Sequence, residues 1–400
     1  MLFRNLIKVL TVGIISGTFI QGAFAQEASK GFIEYKSGNS AEITIEQYSS
    51  SQSEPNVIGE GSNPLRIEAG KSLTLTVKQG KDDSHVKNNQ VIMTDSTSKV
   101  SSSSDLSIGI TQLGNNNVVK FGGNVSSTSD LTLNLTQDSS GKSSGNTIEL
   151  SSLTLGGGTL SVKQTGGGNT FTLKNSNIGA IDGKVLEKGD NNIIILSNLN
   201  VDGTLTLKGY DGASDFKLEG NDNQFTAQNI TANNLDLLAT VVGSDNRISI
   251  NNEYAGSGDI TNKFNIDGSG NTITIAEIQV ADGRSITTNF KLNGSNIQVV
   301  GVDSSGNIDS TGVRQTSSNG PSFLEVIAGS DATVGVVQLN ASEVDPDSGY
   351  SNYAYIKTAA GTTVKVYQDA HNSGYNKVKV ENSNPEVKVI QTEAGTHVYP

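Results

Sequence analysis

The 400-residue chain contains no cysteine and no tryptophan. The first absence excludes disulfides, thiolate nucleophiles and cysteine-based zinc sites. The second, with aromatics at only 5%, removes the bulky residues that fill a thick globular core. Proline is missing from Leu65 to Gly320, which suits uninterrupted backbone ladders, because proline cannot donate to one. Histidine is confined to His85, His371 and His397, too far apart for metal-ligand spacing or for an obvious catalytic triad. Basic residues are in deficit: 28 Lys and Arg stand against 40 Asp and Glu, for a net charge of −12. That balance argues against nucleic acid or an anionic membrane as a partner.

The first 25 residues read as a signal peptide. Arg4 and Lys8 give a positive start, Val9 to Ile20 is a short apolar stretch, and Ala23-Phe24-Ala25 is a small-x-small cleavage site. Beyond it no apolar run approaches the roughly 18 residues of a membrane span. The expectation is a secreted chain starting at Gln26, not inserted in a membrane. Without Arg4 and Lys8 its net charge becomes −14.

What the chain has in quantity is two-residue alternation. Leu131, Leu133 and Leu135, or Phe171 and Leu173, are separated by Thr, Ser, Asn or Lys. This is a β pattern, and no convincing 3.6-residue helical period accompanies it. The fold class expected is all-β.

A repeat overlies the alternation. The motif Gly-x-x-Asn occurs at Gly114/Asn117, Gly166/Asn169, Gly189/Asn192, Gly220/Asn223, Gly243/Asn246 and Gly268/Asn271, with looser copies around Asn89, Asn146, Asn296 and Asn376. Apolar alternating runs flank each copy. Residues two apart share a face of a strand. Gln112 therefore falls in phase with Ile108 and Ile110, Gln137 with Leu133 and Leu135, and Gln164 with Leu160 and Val162; Gln79 ends a similar run. Asn117, Asn146 and Asn169 fall in phase with the apolar residues that follow them. These amides should point inward. A buried unpaired amide costs roughly 1–3 kcal/mol, so each needs partners. Stacking of repeats about 4.8 Å apart lets like amides bond to one another along the axis. The expected architecture is a β-solenoid of stacked β-arches, two strands per coil and about ten to twelve coils, on the order of 50–60 Å long. The turn glycines Gly114, Gly166, Gly189, Gly220, Gly243 and Gly268 would supply positive φ.

The centre of the motif, Gln112-Leu-Gly114-Asn-Asn-Asn117 and Gln164-Thr-Gly166-Gly-Gly-Asn169, resembles the curlin repeat of curli-type amyloid fibres. That family's last amide stands six residues after the Asn. Asn175, Asn198, Asn229 and Asn252 stand six after Asn169, Asn192, Asn223 and Asn246. The resemblance implies that they join the amide ladder and that the chain is a biofilm-matrix or fibre subunit. Its partners would be other copies of itself, end to end, with matrix or secretion components beside them. The chain departs from the family where Ile or Phe replaces a small alanine, and where Glu187, Leu218, Val241 or Ile266 replaces the glutamine.

The chain divides into the leader 1–25, the repeat region 26–302, a Ser/Gly-rich linker 303–321 and a tyrosine-rich β region 322–400, either solenoid continuation or cap. Gln338, Gln368 and Gln391 again end alternating runs there. Two other functions stay open: a monomeric solenoid adhesin, and a carbohydrate-active β-helix enzyme with paired carboxylates. The acidic turns near Asp190, Asp222 and Asp245 fit either calcium ligation or ordinary turn preference. No cofactor, metal or catalytic residue is expected.

Overall fold

The computed structural model describes residues 18–25, 30–31, 33–48, 57–59, 65–80, 88–94, 98–122, 125–139, 145–209, 216–275, 278–281, 284–293, 298–302, 308–309, 313–317, 320–328, 333–341, 349–358, 363–370, 375–381, 386–392 and 396–399. His85, Tyr210, Asn296 and His371 lie outside the described residues, as does most of the expected leader.

Among the described residues the protein is all-β, with strands throughout and no helix. Strands pair in parallel with strands one to four places along the chain, most often two or three. One exception is antiparallel, the short pair of Gln298–Val302 with Ile308–Asp309. Registers are unshifted over long stretches. Leu106 stands beside Leu131, Ile108 beside Leu133, Ile110 beside Leu135 and Gln112 beside Gln137. The next pairing continues these rows to Gly158, Leu160, Val162 and Gln164.

Alternation decides which side is inside. Leu106–Leu113 and Leu131–Asp138 bury every second residue and leave the others partly or fully exposed. The buried rows join into one hydrophobic core that extends from Ala41 to Val378. Its aromatic members are inward phenylalanines, and Phe264 stacks on Phe290 with ring centroids 5.5 Å apart. Outward residues pair across repeats: Glu149 accepts from Lys174 at 2.7 Å and faces Lys120 at 3.4 Å. The Lys174 contact holds the Glu149 carboxyl below its usual range.

Three columns of strands result, not the two expected. The first includes Leu73–Gln79, Leu106–Leu113, Leu131–Asp138, Gly158–Thr165 and Ile181–Lys188. The second includes Gln90–Met93, Val118–Phe121 and Thr147–Ser151. The third includes Lys99–Ser102, Val125–Ser127 and Thr154–Leu155. At Thr170–Ile178 one bent strand serves the second and third columns together, as Arg247–Ala255 does later. The bend sits at Asn175, in the left-handed region at φ 51°. Ser152, Asn198 and Asn229 occupy the same corner at φ 52–56°. A left-handed residue turns the chain and shifts the inward phase by one, so Leu173 is followed inward by Ser176 rather than by Asn175.

The segment expected as a linker contributes a strand to the columns, and the tyrosine-rich region, for which continuation or a cap was open, extends them. Within 303–321, Val313–Ser317 pairs in parallel with Ile278–Val280 and Thr333–Ala341. In 322–400, Ser322–Ala328, Asn352–Thr358 and Asn376–Glu381 extend the first column. The first column therefore runs from Thr18–Ala25 to Thr396–Tyr399, with more repeats than the ten to twelve expected. Thr18–Ala25 falls inside the stretch read as a leader and pairs with Ala41–Tyr48.

Candidate functional site: buried amide ladders

The first column carries a glutamine ladder at the end of its strands. Gln79, Gln112, Gln137 and Gln164 are all buried. Gln112 Nε2 donates to Gln79 Oε1 at 2.7 Å, Gln137 Nε2 to Gln112 Oε1 at 2.7 Å, and Gln164 Nε2 to Gln137 Oε1 at 2.8 Å. The second N–H of each amide turns across the interior to a main-chain carbonyl. Gln112 reaches the Asn89 and Val118 oxygens, and Gln164 reaches that of Asn146. Each glutamine thus ties its own column to its neighbour repeat and to the facing strand.

The asparagine ladder is built differently. Instead of bonding amide to amide throughout, most rungs place Oδ1 on the main-chain N–H of the asparagine one repeat earlier. Asn169 N donates to Asn192 Oδ1 at 3.0 Å, Asn192 N to Asn223 Oδ1 at 2.8 Å, Asn223 N to Asn246 Oδ1 at 2.9 Å, and Asn246 N to Asn271 Oδ1 at 3.0 Å. Asn117 and Asn146 donate in the same way at 3.1 Å. Side-chain-to-side-chain bonds join only Asn89 with Asn117 and Asn146 with Asn169 in this row.

The other half of the amide explains the motif's spacing. Asn117 Nδ2 donates to the Gly114 carbonyl at 2.6 Å, Asn223 to Gly220 at 2.6 Å, Asn246 to Gly243 at 2.7 Å and Asn271 to Gly268 at 2.8 Å. Asn169 and Asn192 bind the Gly166 and Gly189 carbonyls likewise. The asparagine must stand three residues after the glycine because it closes that turn. The glycines take φ between 105° and 140°. Successive glycines also stack: a Cβ on Gly220 would collide with the Gly189 carbonyl, and one on Gly243 with that of Gly220. Two residues past each glycine the chain is left-handed again, at Asn116, Gly168, Asn191, Asp222, Asp245 and Gly270. Asn, Asp and Gly are the residues that tolerate this region. Backbone geometry accounts for the two acidic residues Asp222 and Asp245 in these turns.

The asparagines six residues on are not part of the buried ladder. Asn175, Asn198 and Asn229 are exposed. Their left-handed backbone swings them outward, which corrects the inward phase expected for them. They form an outer row of their own, Asn198 Nδ2 donating to Asn175 Oδ1 and Asn229 Nδ2 to Asn198 Oδ1, each at 2.9 Å. The side chain of Asn252 lies outside the described residues.

A second glutamine ladder stands on the third column, not the first. Gln338 Nε2 donates to Gln315 Oε1 at 2.9 Å, Gln368 Nε2 to Gln338 Oε1 at 2.8 Å, and Gln315 Nε2 to the buried Thr288 hydroxyl at 2.9 Å. Gln391 follows in backbone register. Gln315 was not expected as a rung; its sequence signal is the alternating run Val313 to Gln315. Asn352 and Asn376 make a buried amide pair on the first column at 2.9 Å.

Between the ladders the interior holds two fully buried carboxyls. Glu187 continues the first glutamine row in register above Gln164, and burial alone pushes its pKa well above the usual carboxyl range. Glu253 sits between Ile230 and Ile278 in the third column. Burial raises its pKa to about 7, against the opposing bond from Asn262 Nδ2 at 3.0 Å.

The arrangement offers cohesion along one axis. Most amides of the two ladders bond to neighbouring repeats, while Gln164 Oε1 and both Glu187 oxygens are buried without a partner. No protein-family profile, no curated protein and no solved structure matches the chain.

Proposed function

We propose that the chain is a secreted structural subunit of curli-like type, a β-solenoid that assembles end to end into fibres of an extracellular matrix. One observation carries this reading: like residues stack on like residues in unshifted parallel register, amide over amide, across successive repeats. A repeat that bonds to a copy of itself on one side carries the complementary groups on the other. End strands with unpaired N–H and C=O groups are templates for pairing with a further chain. Cleavage after Ala25 would remove Thr18–Ala25 from the edge of Ala41–Tyr48 and leave such a template. The acidic surface would limit lateral clumping.

The test is purified mature chain held at neutral pH. Fibres with a meridional reflection near 4.7–4.8 Å support the proposal. A monomer that persists for days at high concentration sinks it.

A second reading, a monomeric solenoid adhesin, has one observation in its favour. On the outer side of the C-terminal repeats, Phe323 and Tyr353 lie 5.3 Å apart, Tyr350 and Tyr353 5.9 Å apart, and Lys377 Nζ sits 4.4 Å from the Tyr350 ring. An outward aromatic group of this kind is a recognition surface on many binding proteins. A stable monomer that retains a ligand through Tyr350 and Tyr353 would favour it over the fibre.

A further inference from the structure

The first glutamine ladder ends in an unusual way. Every rung from Gln112 to Gln164 donates Nε2 to the rung before it, and Oε1 of Gln79, Gln112 and Gln137 accepts from the rung after it. Gln164 Oε1 is buried and has no donor. The next residue in register is Glu187, in the same inward phase of Ile181–Lys188. It is 0% exposed, and neither of its carboxyl oxygens has a partner. Three buried oxygens on two registered rungs thus lack a hydrogen-bond donor. A glutamine at 187 would have supplied the missing donor from its amide. A carboxylic acid has nearly the same shape and supplies it from its O–H.

The surroundings of Glu187 are neutral. Its inward neighbours are Val185 on its own strand, Gln164 on the strand before and Leu218 on the strand after. The buried asparagines of the facing turns, Asn169 and Asn192, carry no charge. The charged residues of these three strands, Lys163, Asp182, Lys184, Lys188, Lys217 and Glu219, occupy the alternate, outer positions. Lys188 and Lys217 face Glu219, and Lys208 faces Asp182, on that outer side. Among the described residues nothing titratable or cationic faces the Glu187 carboxyl, so no counter-ion favours its ionised form.

We propose that Glu187 is a proton-operated rung: protonated, its carboxyl O–H donates to Gln164 Oε1 and closes the ladder between Gly158–Thr165 and Ile181–Lys188; deprotonated, it opens that junction. The inference rests on ladder geometry and does not need the fibre reading. The direction follows from burial, which raises the folded-state pKa above the ordinary value of 4.5. Stability is then complete below that ordinary value and is lost as pH rises through the folded one. Acid consolidates the junction, and a pH above the raised folded-state value loosens it.

Urea unfolding of full-length wild type, Glu187→Gln and Glu187→Leu, from pH 4.5 upward, tests this. Wild type and Glu187→Gln should coincide at the acid end. Above it the folding equilibrium of Glu187→Gln should gain on wild type by about tenfold per pH unit until the folded-state pKa is passed. Glu187→Leu should lose the same pH dependence yet stay below Glu187→Gln at every pH, because Gln164 Oε1 remains without a donor. Infrared spectra recorded over the same pH range should show in wild type a protonated-carboxyl stretch, surviving above the ordinary carboxyl range, that is weaker in Glu187→Gln. A Glu187→Gln difference independent of pH, or a carboxyl band unchanged by that substitution, overturns the proposal.

Discussion

At the scale of the residue, the amides do two distinct jobs. Glutamine is long enough to reach both the next repeat and the opposite strand. Asparagine is short, so it closes its own turn with Nδ2 and receives a main-chain N–H with Oδ1. Replacing Asn169 with Leu removes three bonds: the Asn146 N–H and the Gly166 carbonyl lose their partners, and Asn146 Nδ2 loses its bond to Asn169 Oδ1. The expected cost is roughly 1–3 kcal/mol in urea unfolding; an unchanged midpoint would show that water serves these groups. Glu253 gives a second prediction at this scale. Its carboxyl ionises near pH 7 in the folded chain and near 4.5 unfolded, so its contribution is intact below 4.5 and lost as pH passes 7. Glu253→Gln should match wild type in acid and exceed it by about 3 kcal/mol above pH 8, a difference that denaturant titrations at the two extremes measure. The inward phase of Gln112, Gln137 and Gln164 was legible in the sequence because alternation alone fixes it. The Asn bonding pattern was not, since parity tells where an amide points and not which of its atoms meets which neighbour.

At the scale of the element, the corner residue explains why three columns escaped a reading that expected two. A single left-handed residue consumes one position, and the apolar rhythm then steps by three rather than two. The signal is present in Leu196 to Leu199, Ala227 to Ile230 and Leu150 to Leu153, all buried pairs that straddle Asn198, Asn229 and Ser152. Read as strict alternation, the same residues place the corner asparagines inside. The corner makes its own prediction. Asn198→Gly should be nearly neutral, because glycine takes positive φ freely and the two lost outer bonds are exposed. Asn198→Val should cost about 1–3 kcal/mol, because a β-branched residue resists that conformation. Equal thermal midpoints for the two variants would argue against a left-handed corner.

At the scale of the molecule, sequence and structure agree on all-β; strands of the same columns occur within 303–321, where a linker was expected, and in 322–400, where continuation or a cap was open. Those segments read differently because their turns lack the Gly-x-x-Asn signature, while their strands keep the alternation that places Gln315, Gln338 and Gln368 in one row. Turn chemistry marks boundaries in a sequence more loudly than it does in a ladder. The curli-like reading leans on the whole stack, and it makes a demand that single residues cannot: each chain end must accept the opposite end of another copy.

One detail of the glutamine rows reaches beyond the single chain. Every Nε2 looks back along the sequence and every Oε1 looks forward, in both ladders and in the outer asparagine row alike. The molecule is therefore vectorial: the glutamine rows and the outer asparagine row donate toward its beginning, and the buried asparagine row donates toward its end. In the proposed fibre, contacts are head to tail, the arrangement that yields open filaments rather than closed pairs. Such a filament has a fast tip and a slow tip, as a one-way street has an entrance and an exit. Seeds of one colour extended with chain of another should lengthen at unequal rates from their two tips, and two seeds meeting tip to like tip should never fuse. Equal growth at both tips would mean that the direction written into the amides is not read at the ends.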